Sequence, residues 1–304
     1  FTTPDQLLVS ADTDYHKGDQ TQTPWQAPRR IDALPARFNA EGAKVRQLMA
    51  TSKDGTQVPY FLITPKGYAD NGQTPTLLYG YGGFEISLTP SYRATYGKLW
   101  LERGGAYVIA NIRGGGEFGP RWHQAALKEN RQRAYDDFAA VAEDLIRRKV
   151  TSSDRLGIMG GSNGGLLVGA TFTQRPELFK AVVCQVPLLD MLRYTKLLAG
   201  ASWTGEYGDP DDPKMRPIIK AYSPFHNLSR NTRYPRPFFV TSTKDDRVHP
   251  GHARKMGARM LSLGHPIYYF ENIEGGHGAS ANLKQAARRT ALEFVYLSRE
   301  LGLE

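Results

Sequence analysis

Ser162 sits in Gly160-Gly161-Ser162-Asn163-Gly164-Gly165, a stretch containing Gly-x-Ser-x-Gly, between an apolar run ending at Met159 and a helical pattern starting at Leu166. A serine on a sharp turn from strand to helix needs small neighbours, because a side chain at Gly160 or Gly164 would collide with the adjoining elements. Its hydroxyl then stands above the sheet edge, where it could attack a carbonyl. A free hydroxyl is too weak a nucleophile at neutral pH without a base and a carboxylate to orient that base. Of the 7 histidines, His277 lies in Glu274-Gly275-Gly276-His277-Gly278, a glycine-flanked loop after the last strand-like run, with no apolar face to serve. His16 belongs to a polar leader, while His123, His226 and His265 adjoin Trp122, Phe225 and Pro266 and read as packing or turn residues. Asp245 and Asp246 follow directly on the run Phe238–Ser242, so either could supply the carboxylate. Taken singly, the serine could be a helix cap and Asp245-Asp246-Arg247 a surface ion pair.

Two other chemistries compete. Gly114-Gly115-Gly116-Glu117-Phe118-Gly119 fits Gly-x-Gly-x-x-Gly after a strand, with Asp136 downstream, the pattern of a dinucleotide site. Against it, Pro120 follows at once, the strand is not the first of the sheet, and Asp136-Asp137 fall inside a helical pattern. A metal site from Asp245, Asp246, His249 and His252 is thin, because Pro250 prevents a helix that would stack His249 on His252. No metal and no cofactor enter the expected chemistry.

The elements that must carry these residues are legible as periodicity. Val45–Thr51 and Gln57–Thr64 are extended runs joined through Asp54-Gly55, a hairpin signal. Short apolar runs at Thr76–Tyr79, Ala106–Ile112, Arg155–Met159, Ala181–Val186, Phe238–Ser242 and Ile267–Phe270 suit strands covered on both faces. Helical stretches at Arg133–Arg148, Leu166–Arg175, His252–Leu263 and Asn282–Leu301 alternate with them. This predicts an α/β chain: a mostly parallel sheet with helices on both faces, opened by an antiparallel hairpin. In the last helix, Leu283, Ala287, Ala291, Phe294 and Leu297 form a stripe expected to dock on the sheet. Residues 1–44, with Pro4, Pro24, Pro28 and Pro35 and only Gln6–Ser10 strand-like, read as a linker or the remnant of something larger.

Composition narrows the rest. A chain of 304 residues with 40% hydrophobic and 23% charged content supports one large core or two modest ones and excludes disorder. Runs such as Tyr107–Ile112 are far short of the roughly 18 residues needed to span a bilayer, so no membrane is expected and a soluble protein, cytoplasmic or periplasmic, is. The chain begins at Phe1 without a basic-then-apolar leader, so no targeting peptide is expected in it. The net charge of +9 is dispersed, which argues against nucleic acid as a partner. The single cysteine, Cys184, lies in an apolar run and reads as a small buried hydrophobe.

From about Arg46 onward, the chain resembles the catalytic domain of the prolyl oligopeptidase family of serine peptidases, an α/β-hydrolase fold. Five blocks carry the resemblance, in the family's order: Tyr79-Gly80-Tyr81-Gly82-Gly83-Phe84, Asn111-Ile112-Arg113-Gly114-Gly115-Gly116-Glu117, the block around Ser162, Asp245-Asp246-Arg247-Val248, and Gly275-Gly276-His277-Gly278. The resemblance implies Ser162 as nucleophile, Asp245 as the orienting carboxylate and His277 as base. It also implies an oxyanion hole of the Tyr81 hydroxyl and the Asn163 backbone N–H, a donor aimed at a developing oxyanion being worth about 3 kcal/mol. A proline pocket would be floored by Trp203 and lined by Tyr207, Phe84 and Val248, with Arg247 holding the carbonyl upstream of the proline. Ala199, four residues before Trp203, is smaller than the aliphatic residue of well-known members. The family carries an N-terminal β-propeller over the site, to which residues 1–44 would be the tail, residues 45–304 being the peptidase domain. The implied activity is cleavage of short proline-containing peptides after proline through an acyl-enzyme. The alternatives are a broader esterase or acyl-aminopeptidase with the same triad, or an inactive fragment that requires its missing propeller.

Overall fold

The computed structural model describes residues 1–9 and 27–303. His16, Pro24 and the Ser10 end of the first strand-like run lie outside the described residues. The strands are β1 (Gln6–Val9), β2 (Arg29–Ala33), β3 (Lys44–Thr51), β4 (Gln57–Thr64), β5 (Thr76–Tyr79), β6 (Ala106–Ala110), β7 (Leu156–Gly161), β8 (Ala181–Gln185), β9 (Phe238–Ser242) and β10 (Tyr268–Asn272). The helices are α1 (Ala94–Leu99), α2 (Pro120–Gln124), α3 (Gln132–Arg147), α4 (Asn163–Gln174), α5 (Thr204–Tyr207), α6 (Met215–Tyr222), α7 (Gly251–Ser262) and α8 (Leu283–Leu301).

β3 to β10 form one sheet in the order β10-β9-β8-β7-β5-β6-β4-β3. The hairpin β3–β4 is antiparallel and joins β6 antiparallel, while β6, β5, β7, β8, β9 and β10 run parallel. Alternate residues of each central strand feed separate cores. Ala106, Val108 and Ala110 of β6, with Ile158 and Cys184, pack against Phe138 of α3 and Leu167 of α4. Tyr107 and Ile109, with Met159 and Val183, pack on the other side against Trp100, Phe294 and Leu297. The period of two places one helical layer on each face. Cys184 is fully buried, and burial pushes its thiol pKa well up.

Three expectations need correction. The stripe of α8 is buried only from Glu293 onward: Leu283 is 89% exposed and Ala287 and Ala291 are exposed too, and the first turn meets the sheet through a polar contact instead, Asn272 Nδ2 donating to Gln285 Oε1 at 2.9 Å. The run at 267–270 is shifted to Tyr268–Asn272 and ends the sheet, so β10 is not covered on both faces and Tyr268 and Tyr269 are exposed. α4 begins at Asn163, directly after the serine, three residues earlier than its apolar pattern suggests. In the leader, β1 and β2 pair as an antiparallel ribbon. Phe38 enters the core beside Trp100 and stacks on Tyr92, with ring centroids 5.2 Å apart, which ties this segment to the domain.

Candidate active site

β7 delivers Ser162 to the C-terminal edge of the sheet in a strained turn, with φ 59° and ψ −117°. A non-glycine residue in that region persists only where its surroundings impose it. Here the Ser162 N–H donates to Gln185 O at 2.9 Å and the Ser162 carbonyl accepts from Leu166 N–H at 3.1 Å. The glycines around it are required by contact: a Cβ on Gly160 would stand 2.3 Å from Gly164 O, and one on Gly164 would stand 2.8 Å from Gly80 O.

The carboxylate and the imidazole come from the C-terminal ends of β9 and β10, with β8 between β9 and β7 in the parallel sheet. Asp245, three residues after β9, is buried, and its Oδ1 accepts from the Arg247 and Val248 N–H groups at 2.9 Å each. His277, in the loop between β10 and α8, places Nδ1 3.0 and 2.9 Å from the two oxygens of Asp245. The Ser242 hydroxyl at the end of β9 donates to Asn272 O and Gly275 O, so the two loops are stitched together at their roots. Asp246 is exposed, and the imidazole Nδ1 of His277 faces Asp245. Each of the other described histidines is engaged elsewhere: His123 with Glu206, His226 with Ser223, His265 with Ser229 O, His249 with Gly251 N–H and His252 with the Leu189 and Asp190 N–H groups.

Tyr81 is half-buried, and burial raises its phenol pKa, offset in part by a hydrogen bond with Ser162. Its hydroxyl therefore stays a donor beside the serine across the neutral range. Tyr81, Phe84, Ser162, Trp203, Tyr207 and Arg247 line one cavity of about 280 Å³. Two further lining residues, Ile86 and Leu188, follow the Phe84 turn and the end of β8, and no local pattern in the chain singled them out. Val248 does not line it. Its side chain is buried in the core and its contribution is the N–H that holds Asp245. Ala199 is absent from the lining as well; its carbonyl accepts from the Ser202 hydroxyl at 2.6 Å.

The turn that carries Tyr81 is held by groups far away in sequence. Phe84 and Glu85 both have left-handed φ, 55° and 56°. The Phe84 N–H donates to Glu206 Oε1 at 2.9 Å and the Glu85 N–H to Gly114 O at 3.2 Å. The Gly-x-Gly-x-x-Gly stretch acquires its meaning here, since a Cβ on Gly114 would stand 2.4 Å from Gly82 O and one on Gly116 2.2 Å from Glu85 O. Gly114 and Gly116 admit a second backbone, which accounts for these two glycines without a phosphate. Arg113 anchors that stretch through Asp137, with both carboxylate oxygens engaged at 2.7 and 2.9 Å, and through Asp54 at 2.6 Å. The Arg113 guanidinium holds the Asp54 carboxyl well below the usual carboxylate range. Below the cavity, Glu206, Arg131 and the Asn163 side chain form a buried network that sequence reasoning missed, because its members lie on separate elements.

Among the described residues no helix is long and apolar enough to cross a membrane. A model of the prolyl oligopeptidase family matches residues 90–304. The chain is 61% identical over 272 residues to an uncharacterized peptidase of Sinorhizobium fredii, covering 90% of this chain and 38% of that protein. It is 41% identical over 272 residues to a prolyl endopeptidase of Elizabethkingia miricola, covering 88% of this chain and 38% of the relative. The solved structure of a post-proline cleaving enzyme from Rickettsia typhi superposes with a TM-score of 0.91 at 41% identity, over 99% of this chain and 42% of that one. The chain thus spans well under half the length of these relatives.

Proposed function

The chain belongs to the prolyl oligopeptidase family, and we propose that its site cleaves short peptides on the C-terminal side of proline through an acyl-enzyme on Ser162. The observation that carries this reading is that Ser162 opens into an apolar, aromatic cavity that also contains Trp203, Phe84 and Tyr207, while Asp245 and His277 are hydrogen-bonded as a carboxylate–imidazole pair. With its Nδ1–H donating to Asp245, the His277 ring presents Nε2 as a lone pair able to take the serine proton.

Ser162 Oγ attacks the carbonyl carbon of the prolyl residue, His277 takes the hydroxyl proton, and the carbonyl oxygen becomes an oxyanion facing the Tyr81 hydroxyl and the Asn163 N–H. The tetrahedral adduct expels the amine, which receives that proton from His277, and an ester on Ser162 remains. Water, deprotonated by His277, then hydrolyses the ester by the same steps. The pyrrolidine ring suits a pocket of flat aromatic walls, since it is apolar, compact and lacks an N–H that would need a partner. Arg247, exposed at the cavity wall, is assigned to the upstream carbonyl. Residues 1–44 are assigned to the junction with a β-propeller domain and 45–304 to the peptidase domain.

The test is labelling by a fluorophosphonate followed by turnover of proline amides against simple aryl esters. Labelling that is lost in Ser162→Ala, with proline amides cleaved after proline, is the expected result. Efficient ester hydrolysis with no proline amide turnover would instead identify a broader esterase.

A further inference from the structure

We infer that Arg131 is a positioning residue for the reaction: one buried guanidinium that sets both the oxyanion donor Tyr81 and the Tyr207 wall of the pocket. This inference rests on the assignment of Tyr81 given above. Arg131 precedes α3 and is 0% exposed. Its Nη2 donates to Gly82 O at 2.8 Å and to Asn163 Oδ1 at 2.6 Å, and its Nη1 donates to Glu206 Oε1 at 2.9 Å. The guanidinium also lies 5.2 Å from the Tyr207 ring centroid. Asn163 passes the constraint on: its Oδ1 accepts from the Tyr207 hydroxyl at 2.7 Å, and its Nδ2 donates to Tyr81 O at 2.6 Å. Glu206 does the same for the far side of the turn, where its Oε1 accepts from the Phe84 N–H at 2.9 Å and its Oε2 faces His123 Nε2 at 2.7 Å.

The peptide backbone from Tyr81 to Phe84 is therefore held at three points, its Tyr81 carbonyl, its Gly82 carbonyl and its Phe84 N–H, and all three trace to Arg131 directly or through one side chain. A guanidinium is a planar fork with fixed donor directions, and when fully buried it cannot relax to a second arrangement without leaving a charge unpaired. Its charge is matched by Glu206, so the pair adds no net charge beneath the pocket. A hydroxyl aimed at the oxyanion acts mainly in the transition state, so a loss of aim lowers kcat more than it raises KM.

The experiment is a double-mutant cycle on the full chain with a proline amide substrate: Tyr81→Phe, Arg131→Met and the two combined, with folding followed by circular dichroism. Arg131→Met is expected to lower kcat by about 10²-fold, the scale of one oxyanion donor, with KM changed by less than about threefold. In the Tyr81→Phe background the same substitution should cost less than about fivefold, because the group through which it acts is gone. Arg131→Lys, which keeps the charge and loses the fork, should fold and remain impaired. If Arg131→Met does not fold, the cycle is run with Arg131→Met/Glu206→Gln, which leaves neither buried charge unpaired. Equal, additive losses in both backgrounds, or full kcat in Arg131→Lys, would overturn the inference while leaving the role of Tyr81 intact. A Tyr81→Phe variant with unchanged kcat would overturn the oxyanion assignment itself, and this inference with it.

Discussion

At Asp245 the carboxylate is buried, accepts two backbone N–H groups and faces the imidazole with both oxygens, whereas Asp246 is exposed beside it. Replacing the carboxylate by an amide lets the ring adopt the tautomer with its proton on Nε2, so Asp245→Asn should lower kcat on proline amides by about 10⁴-fold and Asp246→Asn by little. Steady-state kinetics of the two variants check this, and the opposite ranking would mean that the loop presents the other aspartate during turnover. Trp203 is only partly buried at the cavity wall, so on the proposed reading it serves a bound proline ring more than stability. Trp203→Ala should cost about 1 to 3 kcal/mol of transition-state binding for proline substrates and less for alanine ones. Equal losses in kcat/KM for both would leave the indole a structural part only.

Between elements, the close approach of two backbones sets the turn that bears Tyr81. Gly114 has φ 94°, and a Cβ there would meet Gly82 O at 2.4 Å, backbone that cannot swing aside. Gly114→Ala should destabilise the fold by about 1 to 3 kcal/mol and reduce labelling of Ser162, since the turn bearing Tyr81 must move away. Urea midpoints and fluorophosphonate labelling rates measure the two effects separately. α7 is coupled to the loop after β8 by a different device: His252 is fully buried, its Nδ1 accepts from the Leu189 and Asp190 N–H groups at 3.2 and 3.1 Å, and burial lowers its pKa to about 4. A neutral imidazole is then favoured in the folded state over the ordinary value of 6.5 in the unfolded one. Its contribution is complete above pH 6.5 and declines as the pH falls toward 4, by on the order of 3 kcal/mol in total. Urea unfolding between pH 4 and 7 should show stability rising with pH in the parent and a flatter profile in His252→Gln. An unchanged slope in the variant would assign the dependence to other groups.

For the molecule as a whole, the chain spans 38% of its relatives' length, while its cavity opens beside the exposed side chain of Ile86 and the turn that ends in Trp203 carries the exposed Leu198. Apolar groups exposed beside a cavity favour association, and on the proposed reading water that reaches this cavity would weaken the oxyanion interaction. Residues 1–304 alone should therefore self-associate, turn over small proline substrates slowly and show little selection by peptide length. Light scattering, together with rates on proline-containing peptides of increasing length, provides the check. A monomer with brisk turnover confined to short peptides would place the gate within these residues.

Whatever depends on local backbone rules can be read from the order of residues. A tight turn admits only small neighbours, so the Ser162 elbow and its glycines were legible; a strand covered on both faces is apolar along its whole length, so the runs that form β6 and β8 were legible; and the chain order of serine, aspartate and histidine followed from strand ends. The tertiary structure alone decided what depends on which surfaces meet. Asp245 differs from Asp246 through burial, and Val248 turns into the core instead of the pocket, because neighbouring loop residues face different ways. Leu283, Ala287 and Ala291 have the spacing of a docked stripe, yet they are exposed. Arg131 reads locally as one more charge before a helix. It becomes a buried joint only when Gly82, Asn163 and Glu206, which lie 49, 32 and 75 residues away along the chain, converge on it. A periodic pattern reports the environment of one element averaged along its length, whereas a network of single side chains exists only where several elements have packed together.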